Sequence, residues 1–159
     1  MAFHTVLSAS IQGLHVEMVH VEADVSNGLP VFHMVGYLSS EVKEASERVR
    51  TAIRNAGIQI PARKVVVNLA PATVRKKGAS FDLPIALAVM AALGEIEGEK
   101  LERTLVIGEL GLDGRVQEVP SIPSNAAGSQ EGRMSRACVP ASEYANAPEG
   151  GSGGWRSGS

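Results

Sequence analysis

The first 35 residues alternate between apolar and polar positions, a pattern that predicts three β-strands. The strands are expected over residues 5–11, 16–25 and 30–35, with turns at Gln12-Gly13 and at Ser26-Asn27-Gly28. The second strand shows the alternation most clearly, with Val19, Val21 and Ala23 on one face and His20, Glu22 and Asp24 on the other. Because consecutive strands joined by short turns usually pair with each other, the region predicts an antiparallel meander.

The spacing of apolar residues then changes to three and four, which predicts an amphipathic helix over residues 41–56. Ser39 or Ser40 can cap its start, and Gly57 can end it. Its buried face comprises Val42, Ala45, Val49, Ala52, Ile53 and Ala56, and the opposite stripe carries Lys43, Glu47, Arg50 and Arg54. The nearly continuous apolar run 65–70 then predicts a strand in the centre of a sheet.

A second helix is predicted for the small, apolar run that begins at Asp82, and this helix is apolar on almost every side. Asp82 is the expected N-cap, Pro84 lies in the first turn where a missing N–H costs nothing, and Gly94 is the expected stop. With about ten uninterrupted apolar residues, the segment is too short to cross a bilayer. It therefore predicts a helix in the core of an α/β domain.

The rest of the chain alternates short structured segments with polar linkers. Residues 95–103 form a charged connector, and residues 105–110 and 115–119 flank Asp113-Gly114, which predicts a β-hairpin. The helical signal of residues 120–132 is weak, and residues 134–139 are expected to form a last strand. We expect one α/β domain over residues 1–148, followed by a linker-like tail, 149–159, that is disordered or an artificial extension.

Length and composition set the class of protein. The chain has 159 residues, 44% of them hydrophobic, which is enough for one sizeable core. The amino terminus carries no recognisable secretory signal. The only cysteine, Cys138, excludes an intrachain disulfide and is expected to be a small buried strand residue. These features predict a cytoplasmic protein that does not associate with membranes.

Positive charge is concentrated in the middle of the chain. Residues 43–77 contain nine basic residues and two acidic ones, so this window carries +7 while the rest of the chain carries −9. Such a separation can create a one-sided potential that attracts a polyanion. A solvated helix face with scattered loop lysines explains the same composition.

No catalytic or metal-binding constellation is evident in the sequence. His4, His15, His20 and His33 are spread through the first strands without the spacing of metal ligands, so no metal is expected. A Gly-x-x-x-x-Gly-Lys-Ser/Thr segment is missing, so no nucleotide cofactor is expected in this chain. The alternating carboxylates of the charged connector are explained by a solvated loop.

Six segments together resemble a known family. They are Gly13-Leu14, Gly28-Leu29-Pro30, 47–50 (ERVR), 67–72 (VNLAPA), 76–84 (KKGASFDLP) and 108–114 (GELGLDG). The chain resembles, over about residues 3 to 146, the amino-terminal domain of the YifB/ComM proteins, a magnesium-chelatase-like AAA+ family. The resemblance implies a Lon-protease-like, ribosomal-protein-type β-α domain with a mixed sheet and packed helices, as at the carboxyl end of the RadA repair protein.

In that family the domain precedes an AAA+ motor linked to processing DNA during natural transformation, by branch migration. The resemblance therefore implies a motor domain in the same protein, a ring-shaped homo-oligomer, and ATP and Mg²⁺ in the motor alone.

The resemblance to Lon raises the question of a serine peptidase. Lon peptidases pair a turn serine with a lysine whose amine activates the hydroxyl. Ser80 matches the serine, but Pro123 occupies the position of the lysine, and the nearest lysine downstream of Ser80 is Lys100. Proline has no side chain that accepts a proton, so the resemblance implies no peptidase activity and Ser80 is expected to be a turn or helix-entry residue.

Two functions remain open at this point. In the first, the domain binds DNA and assists assembly without catalysis, and basic residues contact phosphates; these are Arg63, Lys64, Arg75, Lys76 and Lys77, with Lys43, Arg50 and Arg54 extending the track. Phe81 and Tyr37 are the only aromatic residues near this set, which favours contact with a duplex backbone over base stacking. In the second, the domain is a protein-interaction collar whose basic face meets acidic surfaces of neighbouring subunits or of the motor.

Overall fold

The computed structural model describes residues 2–117 and 138–140. Their strands are β1 (Ala2–Gln12), β2 (His15–Ser26), β3 (Val31–Val35), β4 (Lys64–Ala70), β5 (Thr104–Val106), β6 (Glu109–Leu110), β7 (Val116–Gln117) and β8 (Cys138–Pro140). Strands β6 and β7 form a two-stranded ribbon, and the other six form one mixed sheet in the order β3-β4-β2-β1-β5-β8. The helices are α1 (Ser40–Lys43), α2 (Ala45–Asn55) and α3 (Asp82–Ala92), with a short 3-10 helix at Gly98–Leu101. The predicted α/β fold with a mixed sheet is confirmed.

The hairpin of β1 and β2 is the longest pairing in the described sheet. Its antiparallel register runs from Ala2 opposite Val25 to Gln12 opposite His15. The turn uses Gly13 at φ +61°, a left-handed conformation that glycine adopts without steric cost. The predicted alternation is confirmed in β2, where Val19, Val21, Ala23 and Val25 are buried against the helices.

The predicted antiparallel meander is wrong at its third strand. β3 pairs with β4 and not with β2, and β4 lies between them. The β3–β4 pairing is parallel, with Val31 opposite Lys64 and Val35 opposite Asn68. Parallel neighbours require a crossover, which α1 and α2 supply. The predicted strand at residues 65–70 is therefore confirmed as an inner strand of the sheet.

One face of the sheet is covered by helices. The predicted helix 41–56 is present as two pieces, α1 and α2, that meet at Glu44, and the Ser39 hydroxyl accepts the Val42 N–H at 3.4 Å as its cap. Val49, Ala52 and Ile53 of α2 lie in the core. Helix α3 is buried on nearly every side, as predicted, and Gly94 at φ +79° ends it. The opposite face carries a smaller apolar cluster around Ala9, Leu105 and Ile107.

Two local predictions need correction. Asp82 is not the N-cap of α3: Phe81 holds that position, and the Asp82 side chain is buried in an ion pair. The run 105–110 is not one strand, because it divides at Gly108 into β5 and β6. Gly108 donates its N–H to the Ser80 carbonyl and accepts the Leu83 N–H, both at 2.9 Å, which ties it to the start of α3. The predicted hairpin thus contains only β6 and β7, joined by a turn with Gly114 at φ +86°.

Several predictions lie outside the described residues. These are the weak helix 120–132, the first residues of the last strand, the tail 149–159 and the burial of the Cys138 side chain. Residues 138–140 do form the strand β8, antiparallel to β5. No helix formed by the described residues has the length and apolar character needed to cross a bilayer.

Candidate functional site

Lys76 is not part of an exposed basic surface. Its side chain is fully buried, and its ammonium donates a hydrogen bond to the Pro71 carbonyl. The Lys76 backbone joins the same loop to α1, because its N–H donates to the Tyr37 carbonyl and its carbonyl accepts the Ser39 N–H, both at 2.9 Å. Burial lowers the pKa of Lys76 below its ordinary value. The prediction that Lys76 contacts phosphate is therefore corrected: this lysine holds the loop 71–77 in place.

The other seven predicted residues are exposed, but the fold divides them between the two ends of β4. Arg75 and Lys77 follow the carboxyl end of β4. Lys43 lies beside them, because Ser39 of the α1 cap is hydrogen-bonded to Lys76 and because the Glu41 carboxylate accepts the Gly78 N–H at 3.0 Å. We call Lys43, Arg75 and Lys77 the loop group.

Arg50, Arg54, Arg63 and Lys64 lie at the opposite end, and we call these four residues the basic end. Arg63 and Lys64 are at the amino end of β4, where Lys64 is in register with Val31 of β3. The Arg50 guanidinium stacks 5.7 Å from the ring centroid of Phe32, the next residue of β3. A seven-residue strand separates the basic end from the loop group, a distance of roughly 20 Å at the usual rise per residue.

The two groups differ in their electrostatic surroundings. Residues 50–64 contain the four basic residues and no acidic one, so the basic end carries +4. None of the four pairs with a carboxylate among residues 2–117. Near Lys43 in the chain, Glu41 on α1 accepts the Gly78 N–H and Glu44, where α1 meets α2, lies 3.8 Å from Arg48. The segment of the basic end thus contains no carboxylate, whereas the segment that carries Lys43 does; Asp24 of β2 lies two residues from Ser26, the register partner of Lys64.

Arg48 belongs to the same charge window but faces the core. Its guanidinium donates two hydrogen bonds to the Asp82 carboxylate, at 2.9 and 3.0 Å, and one to the Glu41 carbonyl at 2.7 Å. The Leu110 N–H donates to the same carboxylate at 3.3 Å, so the pair joins α2, α3 and β6. The hydrogen bond that Arg48 donates to Asp82 raises the pKa of Arg48. Burial raises the pKa of Asp82, and Arg48 opposes this increase.

Sequence reasoning did not find this ion pair. The available signal was a single carboxylate, Asp82, at the start of an otherwise apolar helix, since a buried acid requires a partner.

A small cavity lies where the loop group meets the end of β1. It is lined by Ala9, Ser10, Ile11, Gln12, Lys77, Ser80, Phe81 and Ile107. Ser80, the residue that matches the Lon serine, is half-buried at the entry to α3. Lys77, which precedes Ser80 on the same glycine-containing loop, lines the same cavity. Lys100 belongs to the 3-10 helix, and Pro123 lies outside the described residues.

Comparison with known proteins identifies the family. The family model for subunit ChlI of Mg-chelatase matches residues 21–143. The chain belongs to this Mg-chelatase-like family. Its relatives include the protein YifB of Salmonella typhimurium, 44% identical over 114 residues, and YifB of Escherichia coli, 41% identical over 126 residues. Competence protein ComM of Haemophilus influenzae is 38% identical over 122 residues.

These alignments cover most of the Mg-chelatase-like domain but only part of each relative. They include 72%, 79% and 77% of this chain, and 22%, 25% and 24% of the Salmonella, E. coli and Haemophilus proteins. The chain thus spans about a quarter of the length of the curated relatives it matches. The resemblance to the YifB/ComM family that the sequence motifs indicated is confirmed.

Within the described part of this Mg-chelatase-like domain, no three His, Cys, Asp or Glu side chains come together as they would to hold a metal ion.

Proposed function

We propose that this chain is a DNA-contacting domain of a longer YifB/ComM-type protein, with no catalytic role of its own. The observation that supports this function is the basic end, where residues 50–64 supply four exposed cations without a single carboxylate. Clustered, unpaired cations on one end of a domain are the usual electrostatic footprint of a nucleic-acid-binding surface.

The chemistry of the basic end suits phosphates better than bases. Arginine binds phosphate with two parallel N–H bonds, and three of the four residues are arginines. Neither aromatic residue that the sequence associated with this region can stack bases there, because Phe81 is buried and Tyr37 lies at the other end of the sheet. We therefore propose contact with the duplex backbone that does not depend on base sequence.

In this proposal the domain works with a motor in the same protein. This sequence contains no P-loop and covers about a quarter of its relatives, so ATP and Mg²⁺ would be used by another part of the protein. The name of the Haemophilus relative connects that protein with competence, which is consistent with a role in processing DNA. A ring-shaped homo-oligomer in the cytoplasm completes the proposal.

The test compares two charge reversals of equal size and composition. Arg63→Glu/Lys64→Glu alters the basic end, and Lys43→Glu/Arg75→Glu alters the loop group without touching the cavity. Fluorescence anisotropy with labelled duplex and single-stranded DNA, repeated at several salt concentrations, gives the affinity and its salt slope. We expect the first variant to reduce the slope of log affinity against log salt by about 2, because two phosphate contacts are lost.

The control variant is expected to bind within about threefold of wild type, since weak screened charges at a distant end contribute little. Circular dichroism verifies that both variants are folded. Equal losses in the two variants, or no binding by wild type at low salt, would contradict the proposal.

A role as an interaction collar is the second candidate. Its support is the exposure of large apolar side chains at turns, with Leu14 93% and Leu29 80% exposed. Leu14→Ser/Leu29→Ser is expected to lower the molar mass measured by light scattering if these side chains mediate self-association. An unchanged mass at every concentration would remove this support.

A further inference from the structure

The cavity at the end of β1 contains a serine whose hydroxyl has no partner among the described residues. Ser10 is 8% exposed and lines the cavity, and its hydroxyl makes no hydrogen bond with the described residues. The hydroxyl of Ser8, two residues earlier on the same face of β1, is fully buried without a partner, but Ser8 does not line the cavity. The Ser10 hydroxyl is not fully enclosed, so it remains free to bond a ligand.

The rest of the lining favours negative charge. Lys77 lines the cavity and pairs with no carboxylate among residues 2–117, and Ser80 is a second lining serine. The cavity lies beside Ser80 and Phe81, which directly precede the eleven-residue helix α3. The carboxylate of Asp82, the first residue of α3, is bound by the Arg48 guanidinium and does not line the cavity. None of the eight lining residues is acidic.

The size of the cavity limits the ligand. Its volume is about 40 Å³. By the same measure, one water molecule needs about 10–15 Å³. That space accommodates a group of a few heavy atoms. The other lining residues are Ala9, Ile11, Gln12, Phe81 and Ile107.

The geometry points to an oxyanion site: a phosphate or carboxylate group bound by Lys77, Ser10 and Ser80 at the start of α3. Ser10 and Ser80 donate their hydroxyl hydrogens to the anion, and Lys77 supplies the countercharge. The site is separate from the basic end, which lies at the other end of β4, so it stands or falls independently of DNA binding.

The experiment is an NMR titration of the ¹⁵N-labelled chain with inorganic phosphate and, separately, with acetate, at constant ionic strength maintained with sodium chloride. We expect saturable shifts confined to the amides of residues 9–12 and 77–81. Lys77→Gln is expected to weaken binding about tenfold or more, because it removes a charge-assisted hydrogen bond. Ser10→Ala is expected to weaken binding about threefold while keeping the fold, because its hydroxyl has no partner to lose.

Arg75→Gln is the matched control, since Arg75 is an exposed cation two residues away that does not line the cavity. It is expected to change the affinity less than twofold. Saturable binding of phosphate alone assigns the site to phosphates, and binding of acetate alone assigns it to carboxylates. Shifts that do not saturate with either anion, or equal effects of Lys77→Gln and Arg75→Gln, overturn the inference.

Discussion

At the scale of single residues, burial decides which charges of the central window can act on a partner. Lys76 and Arg48 are both turned inward, Lys76 to the Pro71 carbonyl and Arg48 to Asp82. Neither side chain is available to an outside partner, because a buried charge is stable only when its own partners are close by. The sequence contains nine basic residues in this window, but only seven of them are exposed, and none of these seven pairs with a carboxylate among residues 2–117.

The Arg48–Asp82 pair gives a prediction for stability. Arg48→Met leaves the fully buried Asp82 without its guanidinium, and we expect a loss of about 3–5 kcal/mol in the free energy of unfolding. Arg50→Met is the control two residues along the same helix. It removes only an exposed contact with Phe32, for which about 0.5–1 kcal/mol is expected. Urea unfolding monitored by circular dichroism measures the loss of stability in both variants. Similar losses would show that the Arg48–Asp82 pair stabilises the domain no more than the exposed contact with Phe32 does.

At the scale of elements, the crossover from β3 through α1 and α2 to β4 determines where the candidate sites lie. It returns the chain so that β4 lies between β3 and β2, which places the middle of the basic window at one end of β4 and its two flanks, with Lys43 on one side and Arg75 and Lys77 on the other, at the opposite end. The chain must leave β3 abruptly to do so. Gly36, at φ +134°, makes this exit, and a Cβ there would lie 2.9 Å from the Leu69 carbonyl of β4.

Gly36→Ala is therefore expected to destabilise the domain by about 3 kcal/mol, since strain at positive φ adds to a clash with backbone. Gly57→Ala provides the comparison, because Gly57 also has a positive φ, +90°, but nothing within 4 Å of a Cβ. For Gly57→Ala about 1 kcal/mol is expected from the backbone conformation alone. Thermal unfolding of the two variants measures the difference, and an equal loss would argue against close packing of the crossover on β4.

At the scale of the whole molecule, the two ends of the strands differ in charge. The basic end carries +4 on residues 50–64, whereas the segment that carries Lys43 also contains carboxylates, and the loop group adjoins a cavity for a small anion. Polarity of this kind orients a charged partner before contact, because the field favours one end of the domain. DNA should therefore approach the basic end and leave the cavity unobstructed.

Orientation on DNA can be measured by energy transfer. A donor fluorophore on Gln59→Cys reports the basic end, and one on Gln12→Cys reports the end near the cavity, in a Cys138→Ala background. The positions lie at opposite ends of the sheet, roughly 30 Å apart at the usual strand rise. We expect transfer to acceptor-labelled duplex DNA to be clearly stronger from Gln59→Cys. Equal transfer from the two positions, with both variants folded, would contradict a fixed orientation.

The sequence alone predicted those features that depend on neighbouring residues. The period of two in β2, the period of 3.6 in α2, the Ser39 cap and the stop at Gly94 all arise from local geometry, and each is confirmed. Helix α3 was also predictable as a core helix, because a surface that is apolar on every side must be packed. The family could be recognised from its motifs for a different reason, since long motifs are specific without any knowledge of contacts.

Only the tertiary structure decided the features that depend on residues distant in the chain. The local sequence does not distinguish a third strand that pairs with β2 from one that pairs with β4, which comes later in the chain. Nor does it distinguish the buried Lys76 from the exposed Lys77 beside it. The same holds for Asp82, which resembles an N-cap until Arg48, 34 positions earlier, comes within 2.9 Å of it. Pairing, burial and charge compensation are properties of spatial neighbours, and the fold chooses those neighbours.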